Sequence, residues 1–368
     1  MTASASTVCF LAESQVGIGA LAKTLKPIAL GSSDPKVHWV DITYEKPGGL
    51  LERLPLPPRV RGTARGFLQT RAGVNSQHFD ALLFLTQNPA VLQPHVLRRI
   101  PSLLWTDVTP VQLDELAEHY NHPKDDNPIA HRLKHEAVRF AFHSARRCVG
   151  WSDWVRRSLL SDYGVPEERT AVIPPGLDLG VWNAGARPPR QPGAPLRIIF
   201  VGGDFRRKGG NILLDVYRES LRGKAELDLV TKEPVAPEPG VRVHHGLTAG
   251  SQALLDLYRK ADLFVLPTLA DCQPIASLEA MAMGLPVVTT RIAASPECID
   301  HGRSGWLLPP GDARALSERL VSLVNDPSGL VAAGELGLKI VRERFEAGKT
   351  VERLLRLAAD SAREPPLH

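Results

Sequence analysis

The residues best suited to chemistry are three consecutive cations in a glycine-rich loop. Arg206, Arg207 and Lys208 lie between two glycine pairs, Gly202-Gly203 and Gly209-Gly210, directly after the apolar run 198–201. Arginine presents a planar fork to phosphate oxygens and lysine a compact charge, so that neighbouring cations can neutralise a departing diphosphate. A solvated basic turn explains the same residues, because runs of charge usually face water. The loop alone therefore indicates either a phosphate site or a surface turn.

A second set of polar residues lies on one segment further along the chain. Asp271 and Glu279 are eight positions apart, the first in a loop and the second in the first turn of a helix predicted over residues 277–283. A carboxylate in a first turn gains from the helix dipole, and the amides of that turn, at Ser277 and Leu278, can hold phosphate or ribose oxygens. The two acids can therefore face different parts of one extended ligand.

A glycine pair near the amino terminus supports three interpretations. Gly17 and Gly19 follow the apolar run 8–11, where a predicted strand turns into a helix. Glycine lets backbone amides approach a ligand, and a helix amino terminus attracts phosphate. The run also satisfies G-x-G-x-x-[GA], and Asp41 near the end of the next predicted strand is typical of dinucleotide-binding enzymes. The loop is thus an anion site, the NAD site of a dehydrogenase, or a tight turn without a ligand.

These residues must be positioned by short apolar runs that alternate with longer helical patterns. The alternation begins at residues 8–11 and restarts at residues 196–201, and each series is typical of a parallel sheet covered by helices. A stretch rich in Pro, Gly and Arg, 187–195, separates them. The sequence therefore predicts two doubly wound, Rossmann-like α/β domains, residues 1–176 and 177–348. A helical pattern covers residues 330–357, and the last segment, a C-terminal helix and tail over residues 349–368, can pack back on the first domain.

Composition and charge exclude several classes of protein. With 43% hydrophobic and 23% charged residues the chain is typical of a globular protein, and no apolar run is long enough to span a bilayer. A net charge of +4 suits anionic ligands but is too small to indicate nucleic acid binding. The four cysteines are scattered without CxxC spacing, which favours the cytoplasm. Because HExxH and DxD patterns are absent, we expect neither a metal nor another cofactor.

A basic region in the first domain leaves contact with a membrane open. Residues 53–61 combine arginines with leucines and prolines, and Arg65 and Arg71 follow. Such a region can contact anionic lipids or a phosphorylated acceptor. Its prolines argue against a regular amphipathic helix and favour an exposed basic loop. We therefore expect a cytoplasmic protein whose association with a membrane the sequence leaves undecided.

The second half of the chain resembles the family 4 retaining glycosyltransferases, whose fold is called GT-B. The spacing from Asp271 to Glu279, followed by the segment 280–288, is similar to the E-x7-E signature of that family. Further matches are the segment 172–178, Arg207-Lys208-Gly209 and the segment 301–307. The resemblance extends over nearly the whole chain and is looser in the first half. It implies two Rossmann-like domains that face each other across a cleft.

The resemblance implies a role for each matching residue. Arg207 and Lys208 would hold the donor diphosphate and stabilise charge on the departing nucleotide, which makes them the main catalytic groups. Asp271 would face the sugar, and Glu279 would bind the ribose hydroxyls. Because Pro274 has no amide hydrogen, the backbone donors beside it would be Gln273 and Ile275. The implied donor-binding residues are Gly17, Gly19, Gln273, Ile275, Ser277, Leu278 and Glu279.

The sequence departs from the family pattern at three positions. The family usually has glutamate where this chain has Asp271, which shortens the side chain by one methylene. Asp107 occupies the place where the family often has a histidine, and there it can contact the donor sugar or orient the acceptor hydroxyl, or simply cap a helix. Gly203 replaces an arginine that is common soon after the strand, so that the diphosphate depends more heavily on Arg207 and Lys208.

Together these features predict a retaining glycosyltransferase that moves a hexose from a nucleotide-diphosphate sugar to a hydroxyl acceptor. One alternative is an NAD-dependent dehydrogenase that uses the loop with Gly17 and Gly19. Another is a sugar-nucleotide-binding protein of the same fold with weak activity or none, suggested by Asp271 and the missing histidine. The sequence does not identify the sugar, the base, the acceptor, the linkage or the oligomeric state.

Overall fold

The computed structural model describes residues 6–13, 18–44, 55, 57–120, 127–185 and 193–365, and it divides the chain into two compact units. Unit 1 contains Met1–Glu115, Pro123–Gly176 and Ala347–His368. Unit 2 contains Leu116–His122 and Leu177–Glu346. The chain therefore contributes one short early segment to unit 2 and its last segment to unit 1.

Unit 1 is built on a sheet of six parallel strands in the order β2-β1-β3-β4-β5-β6. The central strands are buried along their length, as expected for a parallel sheet covered on both faces. The strands are β1 (Thr7–Glu13), β2 (Lys36–Ile42), β3 (Ala81–Phe84), β4 (Ser102–Thr106), β5 (Arg147–Gly150) and β6 (Thr170–Val172).

The described helices of the first part of the chain alternate with these strands. Those that belong to unit 1 are α1 (Ile18–Leu30), α2 (Pro58–Val74), α3 (Asn88–Val91), α4 (Pro94–Arg99), α5 (Pro110–Glu115), α7 (Pro128–Ser144), α8 (Asp153–Ser161) and a 3-10 turn (Glu167–Arg169). The short helix α6 (Ala117–Tyr120) belongs to unit 2. The expectation of a loop around residue 58 was wrong, because Pro58 begins α2, a position that proline tolerates since the first amide has no partner in a helix.

Unit 2 contains a second sheet of six parallel strands, in the order β12-β11-β10-β7-β8-β9. Its strands are β7 (Leu196–Val201), β8 (Ala225–Val230), β9 (Val241–His244), β10 (Leu263–Leu266), β11 (Val287–Thr290) and β12 (Gly305–Leu308). Its further helices are α9 (Gly210–Val216), a π-helical turn (Tyr217–Leu221), α10 (Gln252–Lys260), α11 (Ile275–Ala282), α12 (Ser295–Cys298), α13 (Ala313–Asn325) and α14 (Leu330–Arg344).

Each sheet has one point where the strand order reverses. In unit 2, β7 continues to β8 on one side and β10 continues to β11 on the other, so that the reversal lies between β7 and β10. In unit 1 the corresponding point lies between β1 and β3. Ligands of doubly wound sheets bind outside the carboxyl ends of the strands at such reversals. The strand order therefore marks one candidate site in each unit.

The helical pattern that starts at residue 330 is divided in two. Helix α14 ends at Arg344, and α15 (Ala347–Arg363) begins after Phe345 and Glu346. The carbonyl of Phe345 accepts a hydrogen bond from the Leu177 amide at 2.8 Å, within unit 2. Helix α15 then packs on α1 and on the strands of unit 1. The predicted continuous helix over residues 330–357 was therefore wrong at this break, where the chain passes from one unit to the other.

Two global properties of the described residues bear on the sequence predictions. No helix in the described ranges combines the length and the hydropathy that are needed to cross a membrane. None of the four cysteines forms a disulfide, and all four are buried.

Candidate active site

The cationic loop and the segment with Asp271 meet at the point of unit 2 where the strand order reverses. The first loop joins β7 to α9 and the second joins β10 to α11. Because β7 and β10 are neighbouring parallel strands, both loops leave the same edge of the sheet. The site that sequence spacing suggested in two separate pieces is therefore one surface of unit 2.

Backbone contacts hold the two loops together. The Leu269 amide donates to the Arg207 carbonyl at 2.8 Å. Gly209 has a φ of 75°, and a Cβ at this position would lie 1.9 Å from the Pro267 carbonyl oxygen. Only glycine allows both the left-handed conformation and this close approach. The glycine after Lys208 is thus required to join the loops.

Arg207 is oriented by three neighbours in unit 2. Its Nε donates to Asp204 Oδ2 at 3.0 Å and its Nη1 donates to the Ala270 carbonyl at 2.8 Å. The Tyr120 ring covers the guanidinium, with the Arg207 Cζ 4.4 Å from the ring centroid. The Tyr120 hydroxyl lies 3.6 Å from Cys272 Sγ. Since an arginine has five N–H groups, three of them have no recorded partner in the described part of the chain, and these can receive phosphate oxygens.

Lys208 and Asp271 form an ion pair within the same site. The Lys208 Nζ lies 2.5 Å from Asp271 Oδ2, and the side chains are 15% and 10% exposed. Asp271 is thus held by a cation that itself can contact a phosphate. A ligand that enters here meets a lysine and a carboxylate side by side, which suits a phosphate attached to a hydroxyl-bearing group.

Glu279 lies on α11 and is buried. Glu279 is 9% exposed, and burial raises the pKa of its carboxyl to about 8. The predicted position in the first turn was wrong, because α11 begins at Ile275 and Glu279 therefore falls in the second turn. Burial, rather than the helix dipole, dominates the carboxyl's environment. Tyr258 is fully buried, and its hydroxyl has no recorded hydrogen-bond partner in the described ranges. Burial and the charge of Glu279 both raise the pKa of this hydroxyl.

The earlier start of α11 also changes which amides are available. The Ile275 amide donates to the Gln273 carbonyl at 2.9 Å, and the Leu278 amide donates to the Pro274 carbonyl at 3.0 Å. Both were expected among the donors to a ligand, but these two hydrogens are already engaged. Within the described residues, the Ser277 amide has no recorded acceptor, as expected for the first turn of a helix.

Two buried polar side chains at the start of α11 lack partners. Gln273 Oε1 and Ser277 Oγ have no hydrogen-bond partner among the described residues, although both residues are buried. Gln273 Nε2 lies 3.5 Å from Cys298 Sγ. Unpaired buried polar atoms are costly and rare, so that they point to a function. They suit the hydroxyls of a sugar.

The residues predicted in the first half of the chain lie in unit 1. Gly19 is the second residue of α1, whereas Gly17 lies outside the described residues. Asp107 directly follows β4 and is half-buried. Asp41 forms an ion pair with Lys26 at 2.5 Å and accepts a hydrogen bond from Trp39 Nε1 at 2.9 Å. The acid that supported a dinucleotide site is thus engaged with local side chains.

A polar cluster that the sequence did not single out lies where the strand order of unit 1 reverses. Glu13 ends β1 and is 2% exposed, and its carboxylate accepts hydrogen bonds from the hydroxyls of Tyr44 and Thr86. Tyr44 has a φ of 57°, and α2 holds its backbone through Arg65 and Gln69. Left-handed backbone in a bulky residue is strained, and such strain concentrates at functional sites.

Other residues of the unit 2 site were also missed by sequence reasoning. Asp204 carried a usable signal, since it precedes Arg207 by three residues in the same loop. Tyr120 carried none, because it is distant in the chain from both loops. Lys232, which follows β8, lies against Gly203, where a Cβ would be 3.6 Å from the lysine Cδ.

No group of three or more His, Cys, Asp or Glu side chains in the described ranges could hold a metal ion. The arrangement in unit 2 offers cations, the carboxyl groups of Asp271 and Glu279, and the unpaired oxygens of Gln273 and Ser277. Such a set of groups can bind a phosphorylated, hydroxyl-rich ligand and stabilise negative charge that develops on it.

Two family models match the chain. One described as Glycosyltransferase Family 4 matches residues 32–181, and one described as Glycosyl transferases group 1 matches residues 195–326. The putative colanic acid biosynthesis glycosyltransferase WcaL of Escherichia coli K12 is 31% identical over 193 residues, which make up 46% of this chain and 45% of that protein. The chain spans about half the length of the curated relatives it matches.

Solved structures share the fold over nearly the whole chain. Sucrose-phosphate synthase from Thermosynechococcus elongatus has a TM-score of 0.73 at 14% identity and covers 96% of this chain and 98% of its own. HepE of Anabaena, solved in complex with UDP and glucose, has a TM-score of 0.66 at 17% identity and covers 96% and 99%. At these identities the likeness concerns the fold, which is two six-stranded parallel sheets of the GT-B type.

Proposed function

Because the chain belongs to the family 4 glycosyltransferases of the GT-B fold, we propose that it moves a hexose from a nucleotide-diphosphate sugar to a hydroxyl acceptor, with retention of the anomeric configuration. The observation that carries the proposal is the convergence of Arg207, Lys208 and Asp271 at the strand-order reversal of unit 2. Doubly wound sheets bind nucleotides at such a position.

The donor diphosphate is assigned to the two cations. Arg207 offers its remaining N–H groups to the phosphate oxygens, and Lys208 adds a point charge beside Asp271. As the bond between the anomeric carbon and the phosphate oxygen breaks, negative charge accumulates on the diphosphate. Cations held in place by the protein stabilise that charge more than the charge of the bound donor. They therefore lower the barrier to departure.

The sugar and the ribose are assigned to the segment around α11. Asp271 and the unpaired Gln273 Oε1 and Ser277 Oγ provide hydrogen-bond partners for sugar hydroxyls. Glu279 binds the ribose hydroxyls. Selectivity for one sugar then depends on whether its hydroxyls pair with all of these groups, since unpaired polar groups are costly.

The acceptor is assigned to unit 1, where the Glu13, Tyr44 and Thr86 cluster lies at the second strand-order reversal. Asp107 at the end of β4 and the loop with Gly17 and Gly19 are further candidates for contact with the acceptor or the donor phosphate. The acceptor oxygen bonds to the anomeric carbon on the face from which the phosphate departs. Its proton passes to the departing phosphate oxygen, so that no base and no metal are needed.

The first test is a thermal-shift panel of UDP, GDP, ADP and NAD, and HepE with bound UDP and glucose makes UDP the first choice. A nucleoside diphosphate at about 100 times its Kd should stabilise the wild type by about 2.7 kcal/mol, which is several degrees in Tm. Arg207→Ala should weaken this binding roughly 10-fold to 100-fold, because it removes charge-assisted hydrogen bonds.

Arg206→Ala is the matched control. Arg206 is the adjacent arginine and is exposed, and its side chain has no recorded partner in the part of the chain that the structure describes. The Arg206→Ala variant should bind the nucleotide like the wild type.

Product formation from the matching nucleotide sugar, with the anomeric configuration read by NMR, then tests transfer and retention. Stabilisation by NAD alone would contradict the proposal and favour a dehydrogenase, and nucleotide binding without transfer or donor hydrolysis would favour a binding protein.

A further inference from the structure

The loop that receives the diphosphate has little net positive charge of its own. Arg207 is paired with Asp204, and Lys208 is paired with Asp271. Glu233 also faces the loop, since its Oε1 accepts a hydrogen bond from the Phe205 amide at 2.7 Å. These three acids equal in number the three cations of the loop, Arg206, Arg207 and Lys208. A nucleoside diphosphate therefore needs a further cation if the site is to attract it and hold it.

Lys232 is the cation that lies against this loop from a neighbouring strand. It follows β8, which pairs with β7 next to the loop. A Cβ built on Gly203 would lie 3.6 Å from both Cδ and Cε of Lys232 and 3.8 Å from its Cγ, so that the aliphatic part of the lysine runs beside Gly203. Because Gly203 has no side chain, the space beside the Lys232 side chain stays open.

The surroundings of Lys232 hold its backbone while leaving its ammonium available. The Glu233 amide donates to Thr231 Oγ1 at 3.2 Å, and Glu233 in turn accepts from the Phe205 amide, which ties residues 231–233 to the loop. The Lys232 side chain is exposed and has no recorded ion pair or hydrogen bond within the described ranges. An ammonium without a partner can move to a phosphate without first breaking an ion pair.

We propose that Lys232 is a donor-binding residue that contacts the diphosphate from the turn after β8, beside Gly203, and adds a cation to those of the loop. This inference rests on the proposed function and deepens it. Gly203 has no side chain of its own, and the charge beside it comes from the turn after the adjacent strand. The ammonium then acts with Arg207 and Lys208 on the charge that develops as the nucleotide leaves.

The test measures the Kd of the nucleoside diphosphate bound by the wild type, together with kcat and KM for the nucleotide sugar. Lys232→Ala should raise the Kd roughly 5-fold to 20-fold and should lower kcat as well, because the charge is needed most at departure. Lys232→Arg should lose less than Lys232→Ala. The loss should shrink as salt rises from about 0.05 M to 0.5 M, since exposed charges are screened.

A rescue experiment separates charge from structure. Gly203 has no positive φ that would strain a side chain, and its Cβ would make only ordinary contacts. Gly203→Arg combined with Lys232→Ala should therefore recover most of the affinity, because it restores a cation at the same place. Lys224→Ala, at another exposed lysine of unit 2, is the control and should bind like the wild type.

Three results would overturn the inference. Wild-type affinity and kcat in Lys232→Ala would show that the ammonium does not contact the donor. A loss that Gly203→Arg fails to recover and that salt does not change would show a structural role. If the wild type binds no nucleoside diphosphate at all, the proposed function fails and the inference fails with it. If the wild type and Lys232→Ala bind the nucleotide equally well, only the inference fails.

Discussion

At the scale of single residues, Glu279 has an unusual electrostatic environment within the unit 2 site. Burial raises the pKa of its carboxyl to about 8. The carboxyl therefore stays protonated in the folded protein at pH values at which it is ionised in the unfolded chain. In an unfolded chain the pKa of a glutamate carboxyl is about 4.3. Between these two values the folded state binds more protons than the unfolded state, and its stability therefore falls as pH rises.

Replacing Glu279 tests this directly. Glu279→Gln keeps the shape and stays neutral, so that it escapes the cost of ionising a buried carboxyl. Relative to the wild type, its free energy of unfolding should rise by on the order of a few kcal/mol between pH 5 and pH 8.5. The measurement is the difference in Tm between variant and wild type at pH 5, 6.5 and 8.5.

The control for that experiment is Glu335→Gln, which removes a carboxylate from an exposed position of α14. Its difference from the wild type should change little across the same range. A Glu279→Gln difference that stays constant from pH 5 to pH 8.5 would show that the carboxyl ionises normally in the folded protein. If the Glu279 carboxyl must ionise to bind ribose, the affinity for the nucleotide should also rise as the pH approaches 8.

Sequence spacing identified several residues of the unit 2 site but not their partners. Arg207, Lys208, Asp271 and Glu279 stand in local motifs whose residue types indicate phosphate and ribose chemistry. The pairing of Lys208 with Asp271 joins residues 63 positions apart and could not be read from either motif. The amides were misjudged at Ile275 and Leu278, because a shift of two residues in the start of α11 decides which hydrogens are engaged.

At the scale of elements, the site depends on how closely the loops after β7 and β10 approach each other. Gly209 allows that approach for two reasons: it adopts a φ of 75°, and it has no Cβ that would collide with the Pro267 carbonyl. The sequence showed a glycine pair before a helix, which is common. Glycine is required at position 209 because the loop that follows another strand, β10, lies against it.

Gly209→Ala separates the two requirements when it is compared with Gly223→Ala. Gly223 has a φ of 78° and open space where a Cβ would be, so that alanine there meets only the conformational cost of about 1 kcal/mol. Gly209→Ala adds a clash with backbone 1.9 Å away and should lower stability by at least about 2 kcal/mol more. Urea denaturation measures both, and nucleotide binding should weaken only in Gly209→Ala. Equal effects of the two variants would mean that the loops can part without cost.

At the scale of the whole molecule, the order of the chain does not follow the division into units. Helix α15 comes after all of unit 2, yet it packs on α1 and on the sheet of unit 1. Its buried face includes Val351, Leu354 and Leu355. The stability of unit 1 therefore depends on the last described helix of the chain.

Matched substitutions in the two units test this dependence. Leu354 on α15 and Leu320 on α13 are both fully buried, so that either change to alanine should cost about 2 to 5 kcal/mol. Hydrogen exchange read by mass spectrometry should show lost protection in β1 to β5 for Leu354→Ala and in β7 to β12 for Leu320→Ala. Nucleotide affinity should be retained in Leu354→Ala. Exposure of β7 to β12 by Leu354→Ala would contradict the assignment of α15 to unit 1.

The sequence by itself determined the fold class and singled out the residues of the unit 2 site that stand in local motifs. Alternating apolar runs specify parallel strands with helices between them, and motifs such as Arg207-Lys208-Gly209 are local, so that both can be read from neighbours in the chain. The tertiary structure alone decided which loops meet, that Tyr120 covers Arg207, that Lys232 lies beside Gly203, and that α15 belongs to unit 1. Strand order creates these contacts between distant residues, and no local pattern of residue types encodes it.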